Sequence, residues 1–104
     1  MITIVFSDLH GNLPALTKLR DLHPECNNWL SLGDNVNYGP WSDECVQFIE
    51  EELDCRCLLG NHEEYFLCGV YPGQNVVARA FFEFCYERFS QQNIIEKYLD
   101  SIDL

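Results

Sequence analysis

Three short polar segments hold the residues best suited to chemistry: Ser7-Asp8-Leu9-His10-Gly11-Asn12, Gly33-Asp34-Asn35-Val36-Asn37-Tyr38-Gly39-Pro40 and Gly60-Asn61-His62-Glu63. Each is rich in oxygen and nitrogen donors, with glycine where the backbone must turn tightly. Asp8 and His10, two apart on one loop, can face one ion. The Asp34 carboxylate has two oxygens and can bridge two cations, while the Asn61 amide oxygen adds a neutral ligand. That mixture suits manganese, iron or zinc, and a pair of such ions activates water at neutral pH. His62, beside a ligand, has the chemistry to protonate a leaving oxygen as general acid. Taken singly, each has a plainer reading: Asp34 or Asn61 as a loop or capping residue, His62 as a satisfied polar side chain at a helix start.

The elements between these segments must bring them together. Ile2-Thr3-Ile4-Val5-Phe6 is apolar on both faces, as a central parallel strand should be. Leu13, Leu16, Leu19 and Leu22 then recur at three-residue steps, with Asn12 as cap and Pro14 in the first turn, predicting a helix that ends before Pro24. A second run, Trp29-Leu30-Ser31-Leu32, leads into Gly33-Asp34. Ser42 is a natural cap for the next helix, where Asp43 and Glu44 suit the dipole and Val46, Ile49 and Leu53 form the apolar face. A third run, Cys55 to Leu59, leads into Gly60-Asn61-His62. Asp8, Asp34 and Asn61 thus recur at steps of 26 and 27 residues. Equally pitched βα units with right-handed crossovers make a parallel sheet, and all three loops emerge at the carboxyl ends of its strands, where open α/β sheets bind ligands. Val77, Ala80, Phe81, Phe84 and Phe89, then Ile95, Tyr98, Leu99 and Ile102, predict two further helices packed on the sheet, their aromatic residues reading as core.

Composition narrows the function classes. The chain has 104 residues, which allows one domain over 1–104, and 47% hydrophobic residues exclude a disordered segment. A net charge of −11 repels nucleic-acid phosphates and anionic lipid. No apolar run approaches the length of a membrane span, and no leader or targeting signal is visible at either end, which predicts a cytoplasmic protein. The six cysteines read as small buried hydrophobes of a reducing compartment; Cys55 and Cys57 share one strand face, and no second close pair completes a zinc site.

The motifs D-x-H-G-N, G-D-x-x-x-x-G-P and G-N-H-E, in this order and each at the end of a predicted strand, resemble those of the calcineurin-like metallophosphoesterases. The resemblance implies an α/β fold, here a parallel βαβαβ half of the family's sandwich with two additional carboxyl-terminal helices. It also implies that Asp8 and His10 bind a first metal, Asp34 bridges two, Asn61 binds the second, and His62 is the catalytic proton donor. Gly11, Gly33 and Gly60 would shape the loops. The cofactors would be two divalent ions, Mn2+, Fe or Zn2+. The reaction would be hydrolysis of a phosphodiester or phosphomonoester by a metal-activated hydroxide. In protein-phosphatase-like relatives the second motif continues with an aspartate and a phosphate-holding arginine. Asn37 and Tyr38 stand here instead, which is more similar to small bacterial phosphodiesterase-like members and points to a phosphate-ester or nucleotide-like small-molecule substrate.

The resemblance covers the amino-terminal half of the family pattern. Only His10, His23 and His62 are present, so the later metal-binding histidines of the family have no counterpart. His23, at the far end of the first helix, reads as a surface residue. The missing half would supply the second sheet of the sandwich, so one face of this sheet is expected to be uncovered. That predicts a homodimer or a complex with a separately encoded carboxyl-terminal half. The competing readings are a non-catalytic metal-binding or interaction half-domain and a fragment of a longer hydrolase.

Overall fold

A computed structural model describes residues 2–101, with side chains to residue 99; Ile102 of the expected last stripe lies outside the described residues. The elements follow in the order β1 (Ile4–Phe6), α1 (Leu13–Leu22), β2 (Trp29–Ser31), α2 (Ser42–Glu52), β3 (Cys55–Cys57), α3 (Asn61–Cys68), α4 (Val76–Glu87), α5 (Gln92–Glu96) and a 3-10 turn over Lys97–Ser101. The three strands form a parallel sheet in the order β1-β2-β3. Ile4 pairs with Trp29 and Trp29 with Cys55, so Val5, Leu30 and Arg56 share one face while Ile4, Trp29 and Cys55 share the other.

The two faces differ in cover. Trp29, Ser31 and Cys57 are buried against Leu16 of α1, Val46 and Ile49 of α2, and Ile95 of α5. Val5 and Arg56, facing away, are exposed. Two parallel crossovers of the same hand put α1 and α2 on one side of the sheet, and no helix among the described residues covers Val5 and Arg56 on the other. The shortest dimension of the molecule, 21 Å, is that of one sheet and one helical layer.

Local signals account for the element ends. Asn12 caps α1 by accepting the Ala15 N–H at 3.1 Å, with proline in the first turn. Asp43 and Glu44 occupy the first turn of α2. Gly69, at φ 75°, closes α3 by donating its N–H to Tyr65.

Three expectations need correction. Among the described residues β1 is an edge strand, with β2 central, and its apolar outer residue Val5 is exposed. Ser42 does not cap α2: it is the first helical residue, and its hydroxyl instead accepts the Asn37 N–H at 3.0 Å. The stripe Val77, Ala80, Phe81 and Phe84 of α4 turns outward, whereas Phe82 and Cys85 are buried. α4 meets α3 through Phe82 and Tyr86 against Phe66, so its core contact is an aromatic cluster beside the sheet. The second stripe is met in part: Ile95 and Tyr98 are buried and the 3-10 turn lies against β3, but the α-helix stops at Glu96 and Leu99 is half exposed. Among the described residues, no helix is long and apolar enough to cross a membrane.

Candidate metal centre

The first loop follows β1 and is laced to the second, which follows β2. Asp8 N–H donates to Gly33 O, His10 N–H to Asp34 O at 2.9 Å, and Gly11 N–H to Asn35 O at 2.7 Å. The return bond runs from Gly39 N–H to His10 O at 2.8 Å. This ladder continues the β1–β2 pairing past the strand ends and carries Asp8 and His10 over to Asp34. Gly33, at φ 106°, sits so close to the third loop that a Cβ would stand 2.7 Å from Gly60 N. A side chain on Gly60 would run into the Asp34 carboxylate. The expected role of these glycines is therefore one of close approach as much as of turning.

Asp8, His10 and Asp34 each bring one ligand atom to within 4.8 Å of the others. His10 Nδ1 lies 3.0 Å from the Val36 carbonyl, and only a protonated Nδ1 can donate there. The lone pair of neutral His10 is thus on Nε2, 3.6 Å from Asp8 Oδ1. The other Asp8 oxygen accepts the Ser7 hydroxyl at 2.7 Å, and Asp34 Oδ1 accepts the His62 N–H at 3.0 Å. Two carboxylates and an imidazole whose second nitrogen is tied to a carbonyl form a donor set that fits a divalent cation of the manganese, iron or zinc type.

His62 stands next to this trio, its ring centroid 4.6 Å from that of His10. Asn37 Oδ1 accepts the Tyr38 N–H at 2.8 Å, so Asn37 Nδ2 is the atom that donates to His62 Nδ1 at 3.0 Å. That leaves the His62 proton on Nε2. Burial holds its pKa below the usual histidine value, and the neighbouring His10 pushes the same way, against the Asp34 and Asp8 carboxylates. Asn61, the first residue of α3, is exposed between Gly60 and His62. His23 is exposed at the end of α1, as expected.

The most heavily engaged side chain of the site is Glu63, whose role sequence reasoning missed. It is fully buried, and its two oxygens accept the backbone N–H groups of Asp34 (2.7 Å), Asn35 (2.9 Å), Val36 (3.3 Å) and Gly60 (3.0 Å). Burial raises its pKa above the usual glutamate value, opposed by hydrogen bonds from Asp34 and Gly60. Glu63 thereby pins the second loop to the start of α3. Its one signal in the sequence is its place at the end of G-N-H-E. Tyr38 is the other missed residue: its ring centroid lies 5.1 Å from His10 and 5.0 Å from His62.

The sheet, the three carboxyl-end loops and the donor trio define an α/β protein of the metallophosphoesterase class. A sequence profile of the calcineurin-like phosphoesterases matches residues 1–102, and the chain belongs to that family. The crystal structure of a metallophosphoesterase from Sphaerobacter thermophilus superposes with a TM-score of 0.73 at 26% identity, covering 94% of this chain and 40% of that one. An uncharacterized protein of Methanocaldococcus jannaschii is 41% identical over 61 residues, which are 57% of this chain and 25% of that protein. The chain thus spans less than half the length of the relatives it matches.

Proposed function

We propose that this chain is the loop-bearing part, one domain over residues 1–104, of a metal-dependent phosphoesterase that hydrolyses phosphodiesters or phosphomonoesters of small molecules. The observation that carries this reading is the convergence of Asp8, His10 and Asp34, with His10 Nδ1 committed to Val36 and Nε2 left for a ligand. Asp8 and His10 would hold one divalent ion, Asp34 would bridge to a second, and Asn61 would contribute to the second. Such ions, when bound, supply a water of lowered pKa and neutralise phosphate charge. With a net charge of −11, that neutralisation favours the approach of an anionic substrate.

His62 is the proposed proton donor, facing the substrate with Nε2–H. Full proton transfer requires the imidazolium, whose Nδ1–H would meet the Asn37 amide nitrogen. Turning that amide lets Asn37 Oδ1 accept Nδ1–H while the Tyr38 N–H loses its acceptor. An incoming phosphoryl anion stabilises the cation and drives that exchange. The bare face around Val5 and Arg56 supports a second copy or a separately encoded carboxyl-terminal half, either of which could complete the ligand set. Six free cysteines suit a reducing, cytoplasmic setting.

The test is manganese-dependent hydrolysis of a chromogenic phosphodiester and phosphomonoester, read beside manganese-induced thermal stabilisation. A chain that is stabilised and active, with activity lost in both Asp34→Asn and His62→Ala and stabilisation lost in Asp34→Asn alone, bears the reading out. Stabilisation without turnover points to the second reading, a metal-binding half-site that needs its partner. A chain neither stabilised nor active, with Asp34→Asn indistinguishable from it, refutes both.

A further inference from the structure

Tyr38 connects the metal loops to a second feature. Its ring meets His10 and His62, and it also meets Phe81 edge to face at 6.4 Å. On from Phe81 runs an open groove of about 620 Å³, lined by Tyr38, Pro40 and the outward stripe of α4, with Val77, Ala80, Phe81 and Phe84 as its floor. These side chains are exposed where a core helix would hide them: Val77 is 64% exposed, Phe81 50% and Phe84 49%.

The groove holds no charged side chain in a chain of net charge −11. The charged residues of α4, Arg79, Glu83 and Glu87, border a different cleft on the side facing Tyr71. The apolar groove is open, and its volume falls in the range of small-molecule clefts. Its lining offers ring faces and methyl groups with almost no hydrogen-bonding atoms, so it selects by apolar area and aromatic packing. A ligand seated there and joined to a phosphate at the loops must pass Tyr38, which touches both.

Resting on the phosphoesterase reading of the loops, we propose that this groove binds the organic part of the substrate, and that the substrate is a phosphate ester of a flat aromatic group. The phosphate lies at Asp8, His10 and Asp34, the aromatic plane packs against Tyr38 and Phe81, and Val77 and Phe84 extend the apolar contact. Sugar and glycerol phosphates, whose hydroxyls would lose water against this surface without gaining partners, are disfavoured.

Calorimetric titration of the manganese-loaded chain with 1-naphthyl phosphate and with glycerol 2-phosphate tests this. The expected result is at least about tenfold tighter binding of the naphthyl ester. Phe81→Ser and Val77→Ser, both at exposed positions, should reduce that preference to under about threefold while leaving glycerol 2-phosphate affinity and the circular dichroism spectrum unchanged. Equal affinity of the two esters in the unaltered chain, or a preference that survives both substitutions, overturns the subsite and leaves the phosphoesterase reading standing. Failure of both esters and of inorganic phosphate to bind in the presence of manganese overturns that reading and the subsite together. A dimer that Phe81→Ser converts to monomer in sedimentation shows a second copy on the groove and also overturns it.

Discussion

Glu63→Gln is the sharpest perturbation of the site that leaves every proposed ligand in place. The substitution keeps shape and length but turns one carboxylate oxygen into an NH2 group. Because each oxygen accepts two backbone N–H groups, either orientation of the amide sets two buried donors against a donor. Orphaning two buried N–H groups costs about 2–6 kcal/mol, and loss of charge assistance at the other two adds about 1 kcal/mol or more. Against this, the variant no longer holds a charge inside the protein, a cost visible in the raised pKa of Glu63. The balance is a loss of about 3 kcal/mol, or roughly 12–24 °C in the midpoint for a domain of this size.

Thermal and urea unfolding followed by circular dichroism give the number. Glu50→Gln is the control, because Glu50 meets Lys97 at 2.8 Å on the surface, where an ion pair contributes about 0–1 kcal/mol. Below its melting point the Glu63→Gln chain should also bind manganese more weakly than the control, since Asp34 rides on the loop that Glu63 holds. A midpoint within about 2 °C of the unaltered chain, with manganese affinity intact, would refute the argument that Glu63 positions the second loop.

Gly11→Ala should cost about 1–3 kcal/mol in urea unfolding, because φ is 67° and a Cβ would stand 2.7 Å from Gly39 O; an unchanged midpoint would mean that the two loops separate easily. Phe82→Ala should cost about 3–5 kcal/mol and Phe81→Ala under about 1 kcal/mol, since Phe82 packs on Phe66, Tyr71 and Tyr86 while Phe81 is half exposed. The reverse order in thermal unfolding would mean that α4 presents its other face to the core. Burial pushes the Cys45 thiol up to about 12, whereas Cys68 is exposed. Iodoacetamide labelling read by mass spectrometry should therefore modify Cys68 in the folded chain and leave Cys45 unmodified until the chain unfolds. Early labelling of Cys45 would contradict the packing of α2 on the sheet.

The parts of this structure legible in the sequence are those set by neighbours in the chain. Asn12 reaches Ala15, three residues on, and Leu16, Val46 and Ile49 repeat at helical spacing over one covering surface. Equal βα pitch stacks the loops of Asp8, Asp34 and Asn61 on one sheet edge, and the structure gathers Asp8, His10 and Asp34 there. α4 defeats the same logic because it carries two apolar stripes offset by one residue, Val77-Ala80-Phe81-Phe84 and Ala78-Phe82-Cys85-Tyr86. Periodicity finds both and does not choose; the ring of Phe66, fixed on α3, does. Ser42 fails differently: its hydroxyl has the donors of its own helix near by, yet takes the N–H of Asn37. Glu63 takes one N–H from Gly60, three residues back, as a glutamate in a first helical turn can, but its other three come from 27 to 29 residues away, where no local pattern reports them.

Backbone conformation gives the last step, through Tyr38. Among the described residues, Asp8, His10, Asp34, Asn37 and Tyr38 are the non-glycine residues at positive φ, and all lie in the first two loops. Four of them are Asp, Asn or His, the types that tolerate this region best. At these positions a glycine would relieve the strain and remove a proposed ligand or a hydrogen bond, so the side chains explain themselves. Tyr38, at φ 70°, has a weaker case: its N–H bond to Asn37 needs no side chain, its hydroxyl meets that of Tyr71, and the residue is 37% exposed. Tyr38→Gly should accordingly change stability by under about 1 kcal/mol in urea unfolding, because strain relief of about 1–2 kcal/mol offsets the lost ring contacts. A loss of about 3 kcal/mol or more would mean that the ring holds the loop in place. Near neutrality would mean that the loop holds the ring, between two histidines and Phe81, for something other than the fold.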